Sequence, residues 1–261
     1  MYKTFSVIAV LLLTGCAASP QGPFLGRELT WTPDRQRIGQ TLRQAAADPA
    51  VWGPLLAAAL LQLDAADRRL SDRLREDTPL FGSTATAQQA SDDARDATGW
   101  LWLGSAVLTP GPDRAGEWLS LKGQVLAQEW IAAKAARGLT SGFKSLSARE
   151  RPNGLNDRSF PSGHATTASV QAHLACLNLA YTTATPLTDA ACRLGQGMAL
   201  LSGWARVEAG MHYPSDVLAG WAIGRFFASS VRAWLGDRPA DPAVDARVQN
   251  GEWELSLRWQ F

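Results

Sequence analysis

The chain predicts an all-α fold, a helical bundle with a small β-hairpin near its C-terminal end. Apolar residues recur at helical spacing from Arg35 onward, as in Ile38, Leu42 and Ala46, and Gly- and Pro-containing breaks divide the chain into successive helical segments. Beyond residue 236 the period changes. Trp253, Leu255, Leu257, Trp259 and Phe261 alternate with Glu254, Ser256, Arg258 and Gln260, the pattern of a half-buried strand.

Residues 1–15 read as a signal segment. Lys3 supplies a positive start, Phe5 to Leu13 an apolar stretch, and Leu13-Thr14-Gly15-Cys16 a small-residue cleavage site. The last four residues resemble a bacterial lipobox, which implies that Cys16 becomes the acylated first residue of the mature chain. Loss of Lys3 with the signal then leaves 24 basic against 24 acidic residues. By analogy with enterobacterial lipoprotein sorting, Ala17 favours the outer membrane. The expectation is an envelope protein on the periplasmic side.

Residues 16–34 read as a polar tether. A helical domain follows over 35–236. The apolar run Trp52 to Leu63 predicts a buried helix, and Asp64 to Asp77 an amphipathic one, with Leu70 and Leu74 a turn apart. Pro79 and Gly82 break the chain at Thr78 to Ser83. Two more helices are predicted at Gln88–Leu108 and Glu117–Leu139, the second ending near Gly138, so that Lys144 and Arg151 fall on a loop and a partial helical turn. Asn153 to Ser159 is a polar connector. Helices over Ser162–Tyr181, Thr188–Val207 and Asp216–Leu235 complete the domain. The extension 237–261 carries the hairpin, with Asn250-Gly251 joining Ala243–Gln249 to the final alternating strand; Arg27–Trp31 is a candidate third strand. No segment after the signal reads as a membrane-spanning helix, and the expectation is a soluble domain hung from a lipid.

Cys176 and Cys192 flank the predicted bend between two helices. They read either as a disulfide of an oxidising compartment or as two small buried thiols on different faces. His173 reads as structural and Glu208 as an exposed loop charge. A formal charge of +1 gives no overall field for nucleic acid, so an anion site has to be built locally.

Such a site is written between Lys144 and Asp216. Lys144 and Arg151-Pro152 lie in KSLSARERP, Pro161-Ser162-Gly163-His164 opens a helix, and Arg206, His212 and Asp216 lie in ARVEAGMHYPSD. Ser162 is a natural N-cap, and the helix start with Gly163 attracts an oxyanion. Asp216, four residues after His212, is within reach of its imidazole, fixing one ring nitrogen and freeing the other to attack. Three fixed cations, two histidines and a carboxylate are the equipment for moving a phosphoryl group without a metal.

The ordered pattern K-x6-RP, PSGH, R-x5-H-x3-D resembles the type 2 phosphatidic acid phosphatase (PAP2) superfamily, with its class A acid phosphatases and vanadium haloperoxidases. Ten residues match in order over the 73 residues from Lys144 to Asp216. Ala205 stands where the family usually has Ser, which removes one accessory hydroxyl. The resemblance implies a PAP2/haloperoxidase-like bundle in which Lys144, Arg151, Arg206, Ser162 and Gly163 hold the phosphoryl oxygens. His212 attacks phosphorus, Asp216 orients it, and His164 protonates the leaving oxygen. It further implies a phosphomonoester or pyrophosphate substrate, no cofactor, and inhibition by vanadate, and membrane tethering points to a lipid-linked substrate. His164 charged and His212 neutral at rest would give a bell-shaped, mildly acidic pH profile. A vanadium-dependent haloperoxidase using the same cage is the alternative, and a catalytically dead envelope lipoprotein a third reading.

Overall fold

The computed structural model of the chain describes residues 24–182, 185–235, 244–249 and 252–257. The signal segment, Cys16, the first part of the tether, and the strand residues Trp259 and Phe261 lie outside them.

Helix α1, Arg35–Ala47, starts at Asp34, whose carboxylate accepts from Arg37 N at 2.7 Å. Asp48 ends α1 and caps α2, Pro49–Leu60, with proline in the first turn where its missing N–H costs nothing. An elbow follows in which Asp64 and Ala65 take positive φ, and α3, Ala66–Asp77, leaves it in a new direction. Then come α4, Thr84–Leu108, capped by Ser83, and α5, Ala115–Ser147. Helix α6, Gly163–Leu179, is capped by Ser162; α7, Pro186–Glu208, begins with a Thr185/Thr188 capping box; α8, Pro214–Ser230, is followed by the short α9, Arg232–Leu235. Strands β1, Val244–Gln249, and β2, Glu252–Leu257, pair antiparallel with Gln249 opposite Glu252.

Helix α6 is the axis of the bundle. Ala165, Ala168, Val170, Ala172, Leu174 and Ala175 are all 0% exposed, and α4, α5, α7 and α8 pack around it. Small side chains permit this, because a helix covered on every side needs neighbours at short range. On α8, a Cβ at Gly220 would lie 2.5 Å from Ser162 O and one at Gly224 2.6 Å from Thr166 O, so those backbones meet directly. Cys176 and Cys192 are bonded, tying the end of α6 to the start of α7.

Four expectations need correcting. The Trp52–Leu63 run is helical but not buried: α2 leans on α8 through Val51 and Ala58, while Trp52, Leu55, Leu56, Leu60 and Leu63 are 44–64% exposed. It sits on the outside of the bundle, packed on α8 and α1 and leaving those side chains exposed. Helix α5 runs past Gly138 to Ser147, because neither Gly138 nor Gly142 is followed by a competing cap, and Lys144 therefore stands in its last turn. Arg27–Trp31 forms a turn rather than a strand, anchored by Thr30 N to Trp234 O at 2.9 Å. The end of the tether is also no free linker, since Leu25 is 1% exposed and sits in the core with Val125 and Leu174.

Among the described residues no single helix is long and apolar enough to cross a membrane. Helix α2 and the segment Leu63–Asp77 pass that test only as a pair, bent by 83°.

Candidate active site

Backbone bonds explain why the three motif clusters meet. Helix α7 ends at Glu208, Gly210 adopts φ 66°, and the chain turns so sharply that Met211 N and His212 N both donate to Arg206 O, at 3.0 and 3.3 Å. The R-x5-H spacing is thus one helix end plus one turn. Ser162 N donates to Asp216 O at 2.9 Å, and Asn153 N to Gly210 O at 3.0 Å, joining the second and first clusters to the third.

Arg206 is 5% exposed and His212 2%, while Ser162 and Asp216 are fully buried. Lys144 Nζ donates to Arg158 O at 2.8 Å and Ser159 O at 3.3 Å. Burial and the Arg151 charge push its ammonium down to about 8. Burial, with Arg151 next, likewise lowers Arg206 to about 10, and burial lowers Arg151. The Nε atoms of Arg151 and Arg206 are buried without a hydrogen-bond partner. A Cβ at Gly163 would lie 4.0 Å from Lys144 Cε, so the start of α6 borders the same cations. Crowded cations with unmet donors form a site that wants an oxyanion.

His212 Nδ1 lies 2.7 Å from Ser159 O. A carbonyl only accepts, so Nδ1 carries the hydrogen and Nε2 is the free lone pair. Asp216 Oδ2 stands 3.7 Å from Nδ1, close enough for charge but not for a hydrogen bond. The tautomer is therefore set by a main-chain carbonyl, where the sequence pointed to the carboxylate. Asp216 is occupied otherwise: Oδ2 accepts from Ser159 Oγ at 2.5 Å and Tyr213 N at 2.8 Å, and Oδ1 from Arg149 at 2.7 Å. Burial pushes this carboxyl up, but His212 and Arg149 outweigh burial and hold it below the usual range.

His164 Nε2 is 2.7 Å from both Asp92 Oδ1 and Arg95 Nη1. Burial foremost, then the Arg206 charge, lowers His164 to about 4, with Asp92 opposing. Burial also lowers His212 to about 4. With these values both imidazoles are neutral near pH 7, and the expected charge on His164 at rest is opposed first by burial and then by Arg206. The Arg206 charge adds to the lowering of both rings.

Several partners were not visible in the sequence. Asp92 and Arg95 come from α4, Asp67 from α3, and Arg149 and Ser159 from the segment around the first motif, none marked by spacing. Glu208 is corrected as well. It is fully buried and accepts from Leu80 N, Phe81 N and Trp204 Nε1, securing the 78–83 loop to α7. His173 is 5% exposed, bonded through Nδ1 to Ser169 O at 2.7 Å and edge-on to Trp221.

A helical bundle with a buried histidine and buried, under-partnered cations from the same motifs defines the class as a helical protein with an anion site. The PAP2 superfamily profile matches residues 139–240. The chain is 30% identical to a lipid A 1-phosphatase of Porphyromonas gingivalis over 115 residues, 44% of this chain and 24% of that one. It therefore spans about a quarter of that relative's length. It is 31% identical to a decaprenylphosphoryl-5-phosphoribose phosphatase of Mycobacterium tuberculosis over 166 residues, 60% of this chain and 83% of that one. Its fold resembles the PAP2 type phosphatidylglycerolphosphate phosphatase of Bacillus subtilis, with a TM-score of 0.50 at 19% identity over 70% of this chain and 92% of that one. The chain belongs to the PAP2 superfamily, as a PAP2-family phosphatase.

Proposed function

We propose that this phosphatase hydrolyses lipid-linked phosphomonoesters or pyrophosphates of the cell envelope through a phosphohistidine on His212. The observation that carries the reading is the buried, unpartnered Nε of Arg151 and of Arg206 beside a histidine whose Nε2 is free.

The phosphoryl oxygens lie against Lys144, Arg151 and Arg206, with the Ser162 hydroxyl and Gly163 N–H adding donors. Positive charge fixed in place before the substrate arrives suits a transition state that spreads negative charge over three oxygens. His212 Nε2 attacks phosphorus, the bond to the leaving oxygen breaks, and that oxygen takes its electron pair and the proton of His164. The Nδ1–H bond to Ser159 O and the nearby Asp216 charge stabilise the imidazolium. Neutral His164 then removes a proton from water, which attacks phosphorus and releases phosphate and His212. An incoming phosphoryl anion offsets Arg206 and recharges His164, so proton and substrate arrive together.

Every relative named above is a phosphatase, which favours hydrolysis over halide oxidation. Lipid substrates are supported by those relatives' names and by the outward Trp52, Leu55, Leu56 and Leu60 of α2. Lipidation at Cys16 on the periplasmic side, with the outer membrane favoured, completes the proposal.

The full chain is assayed for phosphate release from phosphatidate, an isoprenyl pyrophosphate, lipid A and sugar phosphates, with and without vanadate and EDTA. Lipid-linked substrates turn over fastest, vanadate inhibits, and EDTA does nothing. His212→Ala loses turnover by at least about a thousandfold together with acid-labile phosphate on the protein. Persistent turnover in that variant removes His212 from its role.

A further inference from the structure

Next to Asp216 lies a second charged arrangement, in which a part-buried Arg149 joins two buried carboxylates. Arg149 Nη1 donates to Asp216 Oδ1 at 2.7 Å and to Ser215 Oγ at 2.8 Å, while its Nη2 donates to Asp67 Oδ2 at 2.7 Å. Its guanidinium lies 4.0 Å over the Tyr213 ring. Asp67 is 3% exposed, and its Oδ1 accepts from Ser215 N at 2.9 Å and its Oδ2 from Ser215 Oγ at 2.5 Å. Asp67 N in turn donates to Leu61 O at 2.8 Å across the α2–α3 elbow. One guanidinium therefore separates two buried carboxylates, and the second carboxylate holds the first turn of α8, from which Asp216 projects.

We propose that Arg149 and Asp67 are positioning residues for the nucleophile. Arg149 clamps the Asp216 carboxylate in its ionised form beside His212, and Asp67 fixes both Arg149 and the start of α8. Neither residue touches the phosphoryl group; both act through Asp216. The inference rests on His212 being the nucleophile.

The physical reason is the arithmetic of buried charge. The groups facing Asp216 are His212 and Arg149 directly, with Lys144 and Arg151 at longer range and Asp67 behind Arg149. Removal of Arg149 leaves Asp67 and Asp216 as two buried carboxylates facing one another. One of them then takes up a proton at a pH where both were ionised. A protonated Asp216 no longer stabilises the imidazolium that forms when His212 has been phosphorylated or charged. Substrate binding is untouched, because the cage cations stay in place.

Arg149→Met, Arg149→Lys, Asp67→Asn and the double variant Asp67→Asn/Arg149→Met are compared with wild type and with His212→Ala. The readouts are kcat and KM on p-nitrophenyl phosphate from pH 4 to 9, vanadate inhibition and circular dichroism. Arg149→Met lowers kcat on the order of a hundredfold. KM and vanadate inhibition stay within about threefold, and the acid limb of kcat moves up by about one pH unit. Arg149→Lys, which satisfies one carboxylate but not both, falls between. The double variant recovers about tenfold over Arg149→Met, since it removes the repelling carboxylate. Wild-type kcat and acid limb in Arg149→Met, loss confined to KM, or simple additivity in the double variant overturns the inference. If Arg149→Met fails to fold, Arg149→Lys decides it by the same kcat and acid-limb criteria, and Asp67→Asn, which leaves Arg149 on Asp216, is expected to lower kcat without raising the acid limb. A dead His212→Ala beside an unaffected Arg149→Met sinks only the positioning role, whereas an active His212→Ala sinks the reading beneath it.

Discussion

His164 shows how much a single nitrogen can be asked to do. Its Nε2 meets a donor and an acceptor at the same 2.7 Å, and it cannot satisfy both. With a hydrogen on Nε2 it donates to Asp92; without one it accepts from Arg95. Asp92 is itself held below the usual carboxylate range, first by that bond to His164. The pair thus favours the two states that a residue alternating between acid and base has to visit. In its proposed role, the value of His164 depends on how badly the leaving group needs a proton. Asp92→Asn and His164→Gln are expected to lose about ten- to a hundredfold in kcat on an alkyl phosphate, whose alkoxide is a poor leaving group, and only a few-fold on p-nitrophenyl phosphate. Equal losses on both substrates, measured side by side, would count against proton donation by His164. Nothing in the sequence marks Asp92, because an Asp in a polar helix is ordinarily solvated and its partner lies 72 residues away.

At the scale of elements, the site depends on how closely α6 and α8 approach, because one carries His164 and the other Asp216. Glycine allows that approach at residue 224, where a Cβ would meet Thr166 O at 2.6 Å, Ser169 Cβ at 2.7 Å and Val170 N at 2.7 Å. Two of those atoms are backbone and cannot swing away, so one added methyl has to push a helix. Gly224→Ala is expected to destabilise the protein by about 1–3 kcal/mol and to lower activity, while Gly104→Ala, with open space around it, does neither. Denaturant unfolding of both variants measures the difference. The motif positions themselves were legible in the sequence, since Ser162 as a cap and the turn after Arg206 follow from local chemistry. What could not be read was which carbonyl or carboxylate each histidine would face. Ser159 displaced Asp216 from Nδ1 through a contact spanning 53 residues, and no short-range pattern encodes that. The same limit explains α2. Its composition called for burial, but how many neighbours a helix has is decided by the whole bundle.

For the whole molecule, burial of ionisable groups sets how stability responds to pH. All three histidines are lowered chiefly by burial, His164 and His212 to about 4 and His173 to about 3. Unfolding returns each to about 6.5, so below that pH the unfolded chain binds more protons than the folded one. Stability from these groups is complete above about pH 6.5 and is lost as pH falls toward 4. Glu129 works in the opposite sense: burial raises it to about 7, and its contribution is lost as pH rises from about 4.5 through 7. Three groups against one give a net loss on acidification, and the lowered Asp216 and Asp92 add to it at the acid end. The melting temperature is therefore expected to fall steadily from pH 6.5 to pH 4. Inorganic phosphate should change that slope, because an anion among Lys144, Arg151 and Arg206 favours protonated His164 and His212 and so binds more tightly where they can be charged. The upward shift in melting temperature with phosphate should be larger at pH 5 than at pH 8, and Arg206→Ala should abolish it. A shift independent of pH would mean that the anion does not sit between the two histidines, leaving the cage without the coupling that the proposed chemistry requires.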